Sequence, residues 1–306
     1  MAIKIIEKSV RSSDKEHDLK GLVYLPETKP VGIFEVIHGM VEHIGRYDDF
    51  MKRMAEAGYI TFAYDHLGHG KTARDRSELG YIAKKDGWQR LVDDVALFAA
   101  SVKEEYGKEL PFYLMGHSMG SFIVRLAAEQ YDFHDKLIVM GTGGPNPIAG
   151  VGLAMIKMTK KIKGDRHISQ FLEKTAFGKY NSRFEDENDP KSWLSTIVEE
   201  RQKYKNDPFC SFYFTASAME DLIRLNKLSN RKEWATSLNK DKPVLLVSGS
   251  DDPVGDYGKG VEAVRNMLSD AGVPVTCKIY DGCRHEVLND VCREETINDI
   301  LDFCKN

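Results

Sequence analysis

The strongest constraint on this chain is a rhythm. Seven short runs rich in β-branched and aromatic residues recur along it: LKGLVYL, VGIFEVIH, YITFAYD, PFYLMG, KLIVMG, PVLLVSG and TCKIYDG. Helical patterns separate most of them. One spans 47–57 and stops at Gly58; another spans 88–106, with Leu91, Val95, Leu97, Phe98 and Val102 in phase. Alternating strands and helices specify a mostly parallel central sheet with helices on both faces, because a parallel crossover needs an intervening element to return the chain. The two strands nearest the N-terminus, joined by a short connection, are expected to form an antiparallel edge hairpin.

The rhythm stops after VMGTGGPNP and resumes at KPVLLVSGSDDPVG. In between, helical patterns at 148–163, 168–177, 192–204 and 215–228 are accompanied by no convincing strand. A helical insertion late in an open α/β core sits over the carboxyl edge of the sheet, where such folds bind ligands. The expected organisation is therefore a core of residues 1–145 and 236–306 with a helical cap at 146–235.

PFYLM leads into Gly116-His117-Ser118-Met119-Gly120, and SFIVRLAAEQ follows. A G-x-S-x-G pentapeptide alone can be a plain turn. Between a strand and a helix it becomes a bend tight enough that side chains at the flanking positions would collide with backbone, which glycine avoids. The bend raises Ser118 above the sheet at a helix N-terminus, where the dipole favours developing negative charge.

A serine needs a base, and the order required in this topology is Ser, then Asp or Glu, then His. Asp252 lies just past the strand PVLLVSG, and His285 just past TCKIYDG, both in loops at the serine's edge of the sheet. Asp251 competes for the acid role; Asp252 is preferred because Pro253 fixes the turn behind it. Oxyanion donors are expected from the backbone N–H of Met119, after the serine, and of Met40 in VIHGMVEH. His38, Glu42 and His43 suggest zinc, but their spacing is one residue longer than the inverted metalloprotease pattern and they occupy a loop. His66 and His69 read as residues that fix a loop. No metal and no cofactor are expected.

HGMVEHIGRY, YDHLGHGKT, GHSMGS, SGSDDPVG and GCRHEVLND, in that order, resemble the α/β-hydrolases of the monoacylglycerol lipase and lysophospholipase family. The resemblance spans the core. It implies the α/β-hydrolase fold, a Ser118, Asp252, His285 triad, and cofactor-free hydrolysis of carboxylic esters bearing a fatty acyl chain. Residues 146–235 match none of the family's motifs, so the acyl group and head group stay open.

The first cap helix carries Ile148, Val151, Leu153, Met155, Ile156 and Met158 with lysines at its end. It reads as a helix packed on the core, or as an amphipathic lid that touches lipid surfaces transiently. Trp193, Phe209, Phe212, Tyr213 and Phe214 read as the cap's own core, with the acyl pocket as the alternative. An aminopeptidase of the same fold would need carboxylates for the substrate amine, and Glu199, Glu200, Glu220 and Asp221 are the candidates. A short-chain carboxylesterase and a non-catalytic ligand receptor are the remaining alternatives. With 43 Lys and Arg against 47 Asp and Glu and no basic stripe, nucleic acid is excluded as a partner. Five cysteines without a C-x-x-C pair favour free thiols in a reducing compartment. MAIKIIEKSV lacks a signal peptide's apolar core, and the most apolar window, 137–158, is broken by glycines and prolines. A cytoplasmic location is expected.

Overall fold

The computed structural model describes residues 3–305. Its centre is an eight-stranded sheet in the order β1-β2-β4-β3-β5-β6-β7-β8. The strands are β1 (Lys4–Arg11), β2 (Asp18–Leu25), β3 (Gly32–Ile37), β4 (Tyr59–Tyr64), β5 (Phe112–His117), β6 (Lys136–Met140), β7 (Val244–Gly249) and β8 (Val275–Tyr280). β2 runs antiparallel to β1 and β4, and all other pairs are parallel. Every residue of β3, β4, β5 and β7 is buried, which is why these strands read as near-continuous apolar runs rather than alternating ones.

Helices cover both faces. On one, Ile33, Ile37, Leu114 and Val139 pack against α2 (Gly87–Tyr106), α3 (Met119–Tyr131) and α9 (Lys259–Asp270). On the other, Phe34, Val36, Met115 and Ile138 meet α1 (Asp48–Glu56) and α10 (Arg293–Lys305). Between β6 and β7 the chain runs through α4 (Ala149–Lys163), α5 (Gln170–Phe177), α6 (Val198–Asn206), α7 (Ala216–Ser229) and α8 (Lys232–Ser237). Of these, α7 packs on α2 and α3, and α8 on α3 and α9. Among the described residues no helix is long and apolar enough to cross a membrane.

Three expectations are overturned. The runs at 19–25 and 31–38 do not form a hairpin: β2 pairs with β1 and β4, while β3 lies between β4 and β5. The hairpin partner is β1, whose exposed face carries Ile5, Glu7, Ser9 and Arg11 and whose other face, with Lys8 between Ile6 and Val10, is only half buried, so its apolar signal is weak. The helix expected at 192–204 is a 3-10 turn over Ser192–Leu194 followed by α6, because the carbonyls there serve another loop. Cys283 and Cys292 are joined as a disulfide, leaving Cys210, Cys277 and Cys304 free. The loop between that pair folds back until their Cα atoms are 6.4 Å apart, which spacing alone does not reveal.

Candidate active site

The strand order reverses around β3, since the chain steps from β3 to β4 on one side and then crosses to β5 on the other. The carboxyl ends of β3 and β5 therefore flank the switch-point crevice. Ser118 joins β5 to α3 there, at φ 54° and ψ −118°, backbone angles an L residue seldom adopts. A Cβ on Gly116 would lie 2.3 Å from Gly120 O, and one on Gly120 would lie 2.1 Å from Ile37 O. No other residue fits at either position without moving backbone. The bend is also tied down by hydrogen bonds, with Ser118 N–H donating to Met140 O (2.9 Å) and Ser121 Oγ–H to Ser118 O (2.5 Å).

Asp252 and His285 arrive from the ends of β7 and β8. His285 Nδ1 lies 3.0 Å from both Asp252 oxygens. The fully buried carboxylate also accepts the Val254 N–H (2.8 Å) and the Ser248 hydroxyl (3.3 Å). Asp251 is half-buried instead, and its N–H donates to Cys283 O. The His285 ring leans on Gly141, where Cε1 would stand 3.2 Å from an added Cβ, and on the His117 ring, 4.7 Å away between centroids. Gly141 directly follows Met140, the residue that holds Ser118 N–H, so serine and imidazole share one corner. With Nδ1 committed to Asp252, Nε2 has no partner among the described residues.

Behind this pair stands a second one that sequence reading missed. Glu42 Oε1 accepts from His117 Nδ1 (3.1 Å), Tyr47 Oη (2.8 Å) and Gly39 N (2.5 Å), and Arg46 bridges Glu42 and Glu286. His117 Nε2 faces His285 O at 3.3 Å. The Tyr47 hydroxyl also stands 3.0 Å from Nδ1, and with Glu42 and His285 O as acceptors on the two ring nitrogens the arrangement favours the charged imidazole. Burial opposes that charge, but Glu42 outweighs it and holds the His117 pKa above its ordinary value. Burial likewise opposes ionised Glu42, yet His117 and Arg46 keep its carboxyl well below the usual range. Nothing local in GHSMG or VEHIGRY marks this partnership.

The loop after β3 closes the crevice. A Cβ on Gly39 would stand 3.0 Å from Ser118 Cβ, so glycine lets this backbone touch the serine bend. Val41, at φ 56°, is held from two sides: its N–H donates to His69 Nε2 (3.3 Å) and its carbonyl accepts from Tyr204 Oη (2.9 Å). His38, His66 and His69 form a buried stack in which His38 Nε2 accepts His66 N–H and His66 Nε2 donates to His38 O. Burial lowers all three pKa values, joined by repulsion from neighbouring rings at His38 and His66: His66 to about 3, His69 to about 4 and His38 well below the usual value. They are neutral and fix the loop. The N–H groups of Met40 and Met119 donate to no other described residue.

Residues from the insertion reach the same corner. The Trp193 ring lies 5.1 Å from that of His285, Phe212 and Phe214 pack on His69, and Tyr213 is exposed. The carboxylates offered for an amine do not converge: Asp221 accepts Trp88 N–H, Glu220 pairs with Lys160 and Arg224, and Glu200 with Lys203. His43, Asp207 and Cys210 bring potential ligand atoms within 4.8 Å of one another. His43 Nδ1 accepts the Gly45 N–H, so its Nε2 carries the proton donated to Asp207, and the trio reads as a hydrogen-bonded anchor.

Residues 28–291 match the family described as Serine aminopeptidase, S33. The chain is similar to the monoacylglycerol lipase of Mycolicibacterium smegmatis, 27% identical over 92% of this chain and 93% of that protein. It is also similar to the monoglyceride lipase of Rattus norvegicus, 28% identical over 85% and 77%. Among solved structures, a thermostable carboxyl esterase from Bacillus coagulans is 32% identical, covers 99% of both chains and has a TM-score of 0.92.

Proposed function

This chain belongs to the Serine aminopeptidase S33 family of α/β-hydrolases, and from that premise we propose that it hydrolyses carboxylic esters of fatty acyl chains through an acyl-enzyme on Ser118. The observation carrying this reading is the buried Asp252–His285 pair at the corner where Ser118 stands on its strained bend. His285 Nε2 takes the Ser118 proton as Oγ attacks the ester carbonyl. The oxyanion is received by the Met40 and Met119 N–H groups, the latter at the start of α3. Donors of this kind are worth roughly 3 kcal/mol each. His285 then passes the proton to the departing alcohol. Water, deprotonated by the same imidazole, attacks the acyl carbonyl, and Ser118 recovers its proton as the fatty acid leaves. Asp252 holds the imidazole in the Nδ1–H form and stabilises its charged state. No step calls for a metal or cofactor.

The relatives named as monoacylglycerol and monoglyceride lipases favour a glyceryl monoester as substrate. The aminopeptidase reading follows the family's own description, but three of its four candidate carboxylates, Glu200, Glu220 and Asp221, already hold other partners. We read residues 146–235 as a cap, although that boundary falls within α8, whose Trp234 is fully buried and donates to Arg125 O. Ile148, Val151, Met158, Ile162 and Phe171 are exposed on the cap beside Lys157, Lys161 and Lys163, a composition suited to brief contact with a lipid surface. The three free thiols favour the cytoplasm, and the Cys283–Cys292 bond is the observation against it. The deciding experiment is a chain-length series of nitrophenyl and glyceryl esters on wild type and Ser118→Ala. Turnover of monoacylglycerols by wild type alone supports the reading; equal rates in both proteins contradict it, and cleavage of aminoacyl arylamides in place of esters points to the peptidase.

A further inference from the structure

We infer that Trp193, carried on the insertion, is a positioning residue for the imidazole of His285; this rests on the reading of His285 as the base. A hydrogen bond to Asp252 fixes one ring nitrogen but leaves the ring free to swing about that contact. Something else must aim Nε2. Trp193 is placed to do so, its ring 5.1 Å from that of His285 with 40° between the planes.

The tryptophan is itself held on every side the structure shows. Its backbone N–H donates to Asn181 Oδ1 (3.1 Å), its ring meets Tyr180 at 5.1 Å, and it packs against the small cluster of Leu194, Tyr204 and Cys210. The segment around it is sewn to the loop that carries His285. His285 N–H points to Trp193 O (3.4 Å), Glu286 N–H donates to Leu194 O (2.8 Å), and Arg284 Nη1 donates to Ser192 O (2.7 Å). Ser195 Oγ–H reaches Asn289 O (2.7 Å), and Thr196 N–H reaches Asp290 Oδ1 (3.1 Å). These bonds explain why residues 192–197 abandon the helix that their sequence favours. The insertion therefore contributes to the proton-transfer geometry as well as to whatever pocket it encloses.

A residue that merely lined the acyl pocket would act differently. Its loss would raise KM for long chains and spare short ones. A residue that aims the base lowers kcat for every ester alike, and a displacement of about 1 Å in a reacting group costs on the order of 100-fold. The test is to measure kcat and KM of Trp193→Ala and Trp193→Phe on nitrophenyl acetate, octanoate and dodecanoate, with Ser118→Ala alongside. Trp193→Ala is expected to lose roughly 10- to 100-fold in kcat by a common factor across the three esters, with KM within about threefold, and Trp193→Phe to recover most of it. Unchanged kcat, or a loss confined to KM for dodecanoate, overturns the inference. Should Trp193→Ala fail to fold, Asn181→Ala, which removes the hydrogen bond to the Trp193 backbone N–H together with one to Asp189 O, is expected to give a smaller loss with the same uniform pattern, and wild-type kcat there overturns it. An active Ser118→Ala refutes the underlying mechanism whatever Trp193 does; an inactive Ser118→Ala beside a fully active Trp193→Ala refutes the positioning role alone.

Discussion

The rim of this sheet carries two buried carboxylate–imidazole pairs, Asp252 with His285 and Glu42 with His117, their rings 4.7 Å apart. They share a chemistry and differ in what the second nitrogen does. His117 Nε2 is spent on the backbone carbonyl of His285, whereas His285 Nε2 meets no described residue. In the proposed mechanism Glu42–His117 is a charged strut and Asp252–His285 supplies the base. The role of a buried histidine is thus set less by its acid than by whether one nitrogen stays uncommitted.

That contrast breaks down if the two pairs respond alike to mutation. His285→Ala is expected to lower kcat/KM on nitrophenyl esters by on the order of 10⁴-fold or more. Asp252→Asn is expected to follow closely, by roughly 10³- to 10⁴-fold in kcat, because the amide favours the wrong tautomer. A loss below tenfold in either would move the base elsewhere. Glu42→Gln is expected to act mainly on stability, at about 3–5 kcal/mol, since it leaves the His117 charge buried and uncompensated. Its pH dependence follows from the two shifts. Stability from the raised His117 pKa is complete below 6.5, its ordinary value, and fades as pH rises through the folded one. Stability from the lowered Glu42 pKa is complete above 4.5, its ordinary value, and fades as pH falls through the folded one. The gap between wild type and Glu42→Gln in denaturant melts is therefore widest between those values. A gap that widens steadily up to pH 9 would contradict a charged strut.

A buried carboxylate without a cation sharpens the same comparison. Asp221 accepts Trp88 N–H at 3.0 Å on one oxygen, and the other has no partner, so burial pushes its pKa up to about 7. Here the ionised form is the costly one: the penalty begins as pH rises past 3.8 and is complete above about 7. Asp221→Asn is expected to stabilise the fold by at most about 4 kcal/mol at pH 8 and by almost nothing at pH 4. A mutant no more stable than wild type at pH 8 would mean that the carboxylate finds compensation in solution.

The serine bend was legible in the sequence because it is a local steric matter: the glycines at 116 and 120 are required by backbone only a few ångströms away. The order of Ser118, Asp252 and His285 was legible because each follows a readable strand. What escaped depends on partners distant in the chain. Glu42 and His117 are 75 residues apart, and nothing near either announces the other. The unwinding at 192–197 is imposed by the loop at 284–290, so local helical propensity lost to tertiary hydrogen bonds. The strand β1 escaped because both its faces mix apolar and polar side chains, Ile6 and Val10 flanking Lys8 on one and Ile5 joining Glu7, Ser9 and Arg11 on the other.

The most direct measurement is the site and rate of covalent labelling by a fluorophosphonate, read by intact mass and peptide mapping in wild type, Ser118→Ala, His285→Ala and His117→Ala. The expected result is one adduct on Ser118, absent from Ser118→Ala, slowed at least a hundredfold or so in His285→Ala, and much less in His117→Ala. Labelling of Ser118→Ala at the wild-type rate, or of His285→Ala as fast as His117→Ala, would contradict it.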